Sequence, residues 1–154
     1  MKIVINNFIL ISFFQLIGFV SSLCTRDNQY WYKSLTQSVL TPPNIVFPII
    51  WPILYTGLAI VGAFLWRQLP EPKARNLLIF YILQLLFNWS WTPIFFGLHL
   101  IGTALLVIII MVIITTYLIL KTWKTYPYIS YFMVIYLSWL LFATYLNFVI
   151  WQYN

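Results

Sequence analysis

The chain has 154 residues, of which 63% are hydrophobic and 6% are charged. A soluble domain carries roughly 25% charged residues, so this composition excludes a soluble protein and indicates an integral membrane protein. The net charge of +6 comes from eight Lys and Arg residues in short loops rather than on one basic stripe, so we expect no nucleic acid partner.

The first uncharged run, Ile3 to Thr25, fits one transmembrane helix, because a span needs about 20 residues and charges belong outside the bilayer core. A cleaved signal peptide is the alternative, since "VSSLC" places small residues before Cys24. Leu23, directly before that cysteine, does not suit a lipoprotein cleavage site, and we therefore expect the span to be retained.

The next segment, residues 26–44, ends in the stiff pair Pro42-Pro43, which suits a loop or a helix start. Trp31, Tyr32 and Leu35 recur in it at helical spacing. We expect this segment to fold as a lid over the outer mouth of a pocket. The second helix follows at about residues 45–66.

The uncharged run from Asn76 to Leu120 is long enough for two spans, and "FGLHLIG" is its natural break. Helix three is then predicted at about 76–98, helix four at about 102–120 and helix five at about 128–152. The sequence therefore predicts a single all-α domain over residues 1–154, a bundle of five transmembrane helices. Helix four has no polar stripe in "LLVIIIMVII", and we expect it to face lipid most.

Orientation follows from the bias of Lys and Arg toward the inner side of the membrane. One side holds six of these residues and the other side holds Arg26 and Lys33. The six are Lys2, Arg67, Lys73, Arg75, Lys121 and Lys124. We therefore predict the N-terminus inside and the C-terminus outside.

Polar and aromatic side chains form stripes at spacings of three and four along helices two, three and five. The stripe on helix three should face protein or a cavity, because unpaired amides are costly in hydrocarbon. Its members are Tyr81, Gln84, Asn88, Trp91 and Phe95. Trp51, Trp91 and Trp139 lie too deep for an interfacial belt, so they either fill the bundle core or line a cavity open toward the first loop.

Four stretches, "WYKSLTQSVLTPPN", "FPIIWPILY", "QLLFNWSWTPIFFG" and "WLLFATYLNFVIWQYN", resemble the translocator protein family (TspO/MBR), also called tryptophan-rich sensory proteins or peripheral-type benzodiazepine receptors. The likeness covers nearly the whole chain from about Trp31. It implies a five-helix bundle, often dimeric, that binds porphyrins, sterol-like lipids and isoquinoline or benzodiazepine ligands. The sterol-recognition segment has Phe148 and Gln152 in place of its usual Tyr and Arg, which favours a bacterial member with tetrapyrrole ligands.

The resemblance also implies a ligand site in the half of the bundle capped by the first loop. The family's site residues carry over onto Trp51, Asn88 and Trp139. The implied neighbours are Trp31, Tyr55, Trp91, Phe95, Ala143 and Leu146. Members reported to degrade protoporphyrin in light have essential tryptophans that match Trp51 and Trp139.

The sequence therefore favours a membrane receptor or carrier for porphyrin-type tetrapyrroles or other large, flat, apolar ligands, linked to stress or to the handling of haem precursors. Ordinary acid–base catalysis is not expected, because no predicted span holds an acid and no Ser or Cys has a base near it in any motif. The enzymatic alternative is photochemical degradation of a bound porphyrin. We expect no metal site and no cofactor. His99 is more simply a hydrated loop residue than an axial haem ligand.

Overall fold

Five long helices and one short one make up the computed structural model, which describes the backbone of residues 2–154 and the side chains of residues 8–154. The helices are α1 (Lys2–Asp27), α2 (Gln29–Ser34), α3 (Val46–Arg67), α4 (Pro72–Thr92, continued as a π-helical turn over Pro93–Gly97), α5 (Ile101–Thr122) and α6 (Pro127–Tyr153). The five long ones have the length and hydropathy to cross a membrane. The predicted fold class, an all-α bundle of five transmembrane helices, is confirmed. Met1 and the side chain of Lys2, on which part of the orientation prediction rests, lie outside the described part of the chain.

Prolines set several of the helix boundaries. Pro72 and Pro127 occupy the first turns of α4 and α6, where a missing backbone N–H costs no hydrogen bond. α4 therefore begins at Pro72 rather than near Asn76, with Lys73 and Arg75 already on the helix. At its other end, Pro93 opens a wider turn in which the Leu98 N–H donates to the Pro93 carbonyl at 2.9 Å.

The expectation that helix four faces lipid most is wrong. α5 buries nine residues: Ala104, Leu105, Val107, Ile108, Met111, Thr115, Leu118, Ile119 and Thr122. It packs between α4 and α6, and its most extensive contact is with α6. A helix rich in Leu, Val and Ile needs no polar stripe to bury one face against its neighbours, because close packing of apolar side chains is enough. Among the described side chains of α1, by contrast, only Phe14 is buried.

α3 and α6 approach each other closely at one level and have few other contacts. A Cβ atom built on Gly57 would lie 2.0 Å from Cε2 of Phe132, so only glycine permits this approach. Closer to the end of the bundle that carries α2, the same two helices contribute Trp51 and Trp139 to the walls of a cavity. The divergence of α3 from α6 is what leaves room for a site.

Candidate functional site

A cavity of about 600 Å³ occupies the end of the bundle that carries α2 and the C-terminus. Its lining is mostly apolar and comes from all five long helices, α2 and the segment that leads into α3. Ligand sites for small molecules usually span about 300–1,000 Å³ and are lined by apolar and aromatic groups with a few polar ones. The cavity therefore has the size and chemistry of a small-molecule site.

Aromatic rings form the walls of the cavity. Trp51 on α3 lies against Tyr55, with ring centroids 5.4 Å apart and the planes tilted by 33°. Across the cavity, Trp91 stacks on Phe95 at 5.0 Å and 15°. Trp139 on α6 is half-buried, and its indole N–H is buried without a hydrogen-bond partner among the described residues. Flat rings on several sides suit a flat apolar ligand.

The inner end of the cavity is polar and is centred on Asn88. Its Oδ1 accepts a hydrogen bond from the Tyr55 hydroxyl at 3.1 Å, and its Nδ2 donates to the Tyr136 hydroxyl oxygen at 2.7 Å. Gln84 Nε2 also donates to that oxygen. A neutral amide has two donor hydrogens and two acceptor lone pairs, so one of each on Asn88 is not used by these two bonds. It therefore joins α3, α4 and α6 and also faces the cavity.

A second amide fixes the orientation of Trp91. The Trp91 indole N–H donates to Oδ1 of Asn147 at 3.1 Å, and Nδ2 of Asn147 donates to the backbone carbonyl of Ile101 at 3.1 Å. Asn147 is buried, so both bonds are shielded from water. These contacts hold one aromatic wall of the cavity rigidly between α4, α5 and α6.

α1 closes the cavity on another side through close contact with α3. A Cβ atom on Gly18 would lie 2.6 Å from Cε2 of Tyr55, so the glycine lets the two helices approach. Gln15 strengthens the same contact by donating from Nε2 to the carbonyl of Pro52 and to Oγ1 of Thr56, both at 2.9 Å. The hydroxyl of Tyr55 is thereby kept in reach of Asn88.

The short helix α2 contributes to the lining of the cavity at its exposed end. Gln29, Tyr32 and Lys33 line the cavity from α2. Burial raises the pKa of the Tyr32 hydroxyl, which therefore stays protonated and able to donate a hydrogen bond at neutral pH. On the outer side of α2, Trp31 stacks on the His99 ring at 3.9 Å and 18°.

Hydrogen bonds hold the segment after α2 against α6. The Thr36 backbone N–H donates to Oδ1 of Asn154 at 2.9 Å, and Nδ2 of Asn154 donates back to the Thr36 carbonyl at 3.2 Å. The hydroxyls of Ser38 and Tyr145 lie 3.0 Å apart. We call residues 29–38, which comprise α2 and the residues after it, the covering segment. It is attached to α6 near the C-terminus.

Eight of the nine residues implied by the family resemblance line this one cavity. They are Trp51, Asn88, Trp139, Tyr55, Trp91, Phe95, Ala143 and Leu146. Trp31 is not among the lining residues and lies behind the wall, edge-on to Phe95 at 5.6 Å. His99 is exposed in the turn before α5, and its Nε2 lies 3.0 Å from Oδ1 of Asn28.

Sequence reasoning missed two parts of the cavity. Arg26 and Lys33 lie at its mouth; both fall within the predicted lid segment 26–44, but the sequence did not identify them as cavity-lining residues. Ile108 and Met111 of α5 also line it. An apolar helix gives no periodic signal for a cavity-facing side, whereas the two cations within the predicted lid could have been recognised as candidates for lining the cavity.

Comparisons with known proteins identify the family of this chain. The profile of the TspO/MBR family matches residues 8–152. The tryptophan-rich sensory protein of Cereibacter sphaeroides is 35% identical over 118 residues, which cover 77% of this chain and 73% of that protein. The translocator protein of Bos taurus is 31% identical over 140 residues, covering 89% and 83%. Protein CrtK of Rhodobacter capsulatus is 33% identical over 125 residues, covering 80% and 78%. Because the match spans nearly the whole chain and all five spans, this protein belongs to the TspO/MBR family and is a multi-pass integral membrane protein.

Proposed function

We propose that the protein binds porphyrin-type tetrapyrroles in the cavity beneath α2 and acts as a membrane receptor or carrier for them. Membership of the TspO/MBR family supports a receptor or transporter role in the membrane. One observation supports the choice of ligand: a single cavity of about 600 Å³ brings Trp51, Trp91 and Trp139 together around the amide of Asn88. A tetrapyrrole is large, flat and mostly apolar, as this lining requires.

The test is saturable quenching of tryptophan fluorescence by protoporphyrin in lipid nanodiscs. Trp51→Phe should weaken binding, because Trp51 lines the cavity and offers a larger stacking surface than phenylalanine. Trp123→Phe is the matched control, since Trp123 is 52% exposed and lies in the loop at the other end of the bundle. Quenching that does not saturate, or that is equal in both variants, would refute the proposal.

Light-dependent degradation of the bound porphyrin is a second candidate function. It is favoured by the presence of Trp51 and Trp139 in the cavity lining, because nearby indole rings can supply electrons to a photoexcited porphyrin or quench the radicals that it forms with dioxygen. The measurement is the loss of porphyrin absorbance under illumination, with and without the protein. Equal rates would exclude this function and leave the binding proposal intact.

A further inference from the structure

Two cationic side chains lie at the mouth of the cavity. Arg26 is in the last turn of α1 and Lys33 is in the last turn of α2. Both line the cavity and both are exposed, and every other lining residue is uncharged. We call Arg26 and Lys33 the cationic rim. An apolar chamber thus opens at a positively charged edge.

No acidic side chain neutralises this rim. The only acids of the chain are Asp27 and Glu71. Glu71 accepts a hydrogen bond from Tyr126 at 3.0 Å in the loops at the other end of the bundle. Within residues 8–154, Arg26 and Lys33 form no ion pair with Asp27. Both charges are available to an anionic group from outside.

The attachment of the covering segment shows where a ligand would project from the cavity. Trp31 and Tyr32 pack on Phe95 and Phe96, and Thr36 is bonded to Asn154, so the segment is held on the side of α4 and α6. Several exposed lining residues come from α1, from the segment that leads into α3 and from the first turn of α3. They are Ser22, Arg26, Asn44 and Pro48. A bound molecule would reach water beside the cationic rim.

We propose that the cationic rim binds carboxylates, so that the protein selects amphiphiles with a flat apolar body and carboxylate groups along one edge. This inference rests on the proposed function, in which the cavity holds the apolar body. Arginine can bind a carboxylate with two parallel hydrogen bonds, and lysine acts as a point charge. A porphyrin with two propionate side chains has this chemistry, whereas a sterol or another neutral ligand does not.

The expected effect of each cation is modest because both are exposed. An exposed ion pair contributes roughly 0.2–1 kcal/mol, which corresponds to about a 1.4- to 5-fold change in affinity. Salt should reduce this contribution, since exposed charges are screened. The aromatic walls therefore supply most of the binding free energy, and the cationic rim adds selectivity for carboxylates.

The experiment compares protoporphyrin with its dimethyl ester in nanodiscs of phosphatidylcholine alone. The proteins are the unaltered chain, Arg26→Gln, Lys33→Gln, the double variant and Lys73→Gln as the matched control, because Lys73 is exposed at the opposite end of the bundle. We expect the diacid to bind each single variant about 1.4- to 5-fold more weakly, and the double variant more weakly still. Binding of the ester should stay the same in all variants, and Lys73→Gln should bind both ligands normally.

An anionic phospholipid headgroup offers similar charge chemistry, so a second arm repeats the titrations in nanodiscs that contain phosphatidylglycerol. If the rim variants lose bound phosphatidylglycerol but bind the diacid as the unaltered chain does, the rim holds lipid and the proposal is overturned. It is also overturned if the variants weaken the diacid and the ester equally. If neither porphyrin binds the unaltered chain, the proposed function itself fails, and the inference fails with it.

Discussion

Trp91 and Trp139 both line the cavity, but their indole N–H groups differ in what they contact. The Trp91 N–H is engaged by Asn147 at 3.1 Å. The Trp139 N–H is buried and has no partner among the described residues. An unpaired buried donor costs free energy, and a ligand acceptor would remove that cost. At the scale of single residues, Trp139 is therefore suited to contact a ligand and Trp91 is partly a structural group.

Substituting each of these tryptophans by phenylalanine separates the two roles. Trp139→Phe breaks no hydrogen bond within the protein, so we expect nearly unchanged thermal stability and about five- to thirtyfold weaker protoporphyrin binding, equivalent to a loss of about 1–2 kcal/mol. Trp91→Phe leaves the buried Oδ1 of Asn147 without its donor, so we expect a lower melting temperature as well as weaker binding. Fluorescence titration and thermal unfolding in detergent measure both quantities. Equal effects of the two substitutions on stability would contradict this assignment.

At the scale of helices, the contact of α1 with α3 depends on Gly18. Gly18→Ala places a methyl group 2.6 Å from the buried ring of Tyr55, whose hydroxyl is bonded to Asn88. The ring cannot move away without losing that bond, so we expect a loss of stability of about 1–3 kcal/mol from overpacking, together with weaker ligand binding. Gly97→Ala is the matched control, because no atom lies within 4 Å of its added Cβ. Reversible unfolding in mixed micelles would reveal the difference, and equal stability of the two variants would rule out a tight contact here.

The segment after α2 gives a second prediction at this scale. Asn154→Ala removes both hydrogen bonds to the Thr36 backbone, so the covering segment should open more often. We expect protoporphyrin to dissociate several times faster, with a smaller change in association rate, as stopped-flow fluorescence can measure. Asn76→Ala makes the same substitution at an exposed site on α4 and should leave both rates unchanged. An unaltered dissociation rate in Asn154→Ala would show that the segment does not retain the ligand.

The helices also show how far the sequence leads. Charges and prolines mark the ends of spans, because their cost in a bilayer is large and local, so the five spans could be predicted. The amide and aromatic stripe of α4 was predicted to face inward for the same reason, and Tyr81, Gln84 and Asn88 are buried. The extensive packing of α5 against α4 and α6 was not predictable, because lipid tails and protein cores are equally apolar. Which apolar helix lies inside is decided by packing, and packing leaves no periodic pattern in "LLVIIIMVII".

At the scale of the whole molecule, the bundle is closed at one end and hollow at the other. Near the middle of the bundle the Tyr81 hydroxyl donates to the carbonyl of Leu58, and at the closed end the hydroxyls of Thr122 and Ser130 lie 2.7 Å apart. At the hollow end, bulky rings and amides stand around a space that they do not fill. A packed half that supports a hollow half is the arrangement expected of a binding protein, because the site is positioned by elements that need not move.

The direction in which the hollow end faces is the remaining property of the whole molecule, and we predict that it faces outward. The described cations are distributed unevenly between the two ends. Arg67, Lys73, Arg75, Lys121 and Lys124 lie in or beside the loops at the closed end, and Arg26 and Lys33 lie at the hollow end with Asn154. Positive residues in short loops are retained on the inner side of the membrane, so the closed end should be inside.

Labelling of single cysteines tests this orientation. In a Cys24→Ser background, Tyr153→Cys should react with a membrane-impermeant maleimide in intact cells, because Tyr153 is 62% exposed at the hollow end. Lys124→Cys should react only after permeabilisation, because it lies in the exposed loop at the closed end. Both variants should react equally once the membrane is opened, which controls for the reactivity of each thiol. Labelling of Lys124→Cys but not of Tyr153→Cys in intact cells would reverse the topology and place the cationic rim inside.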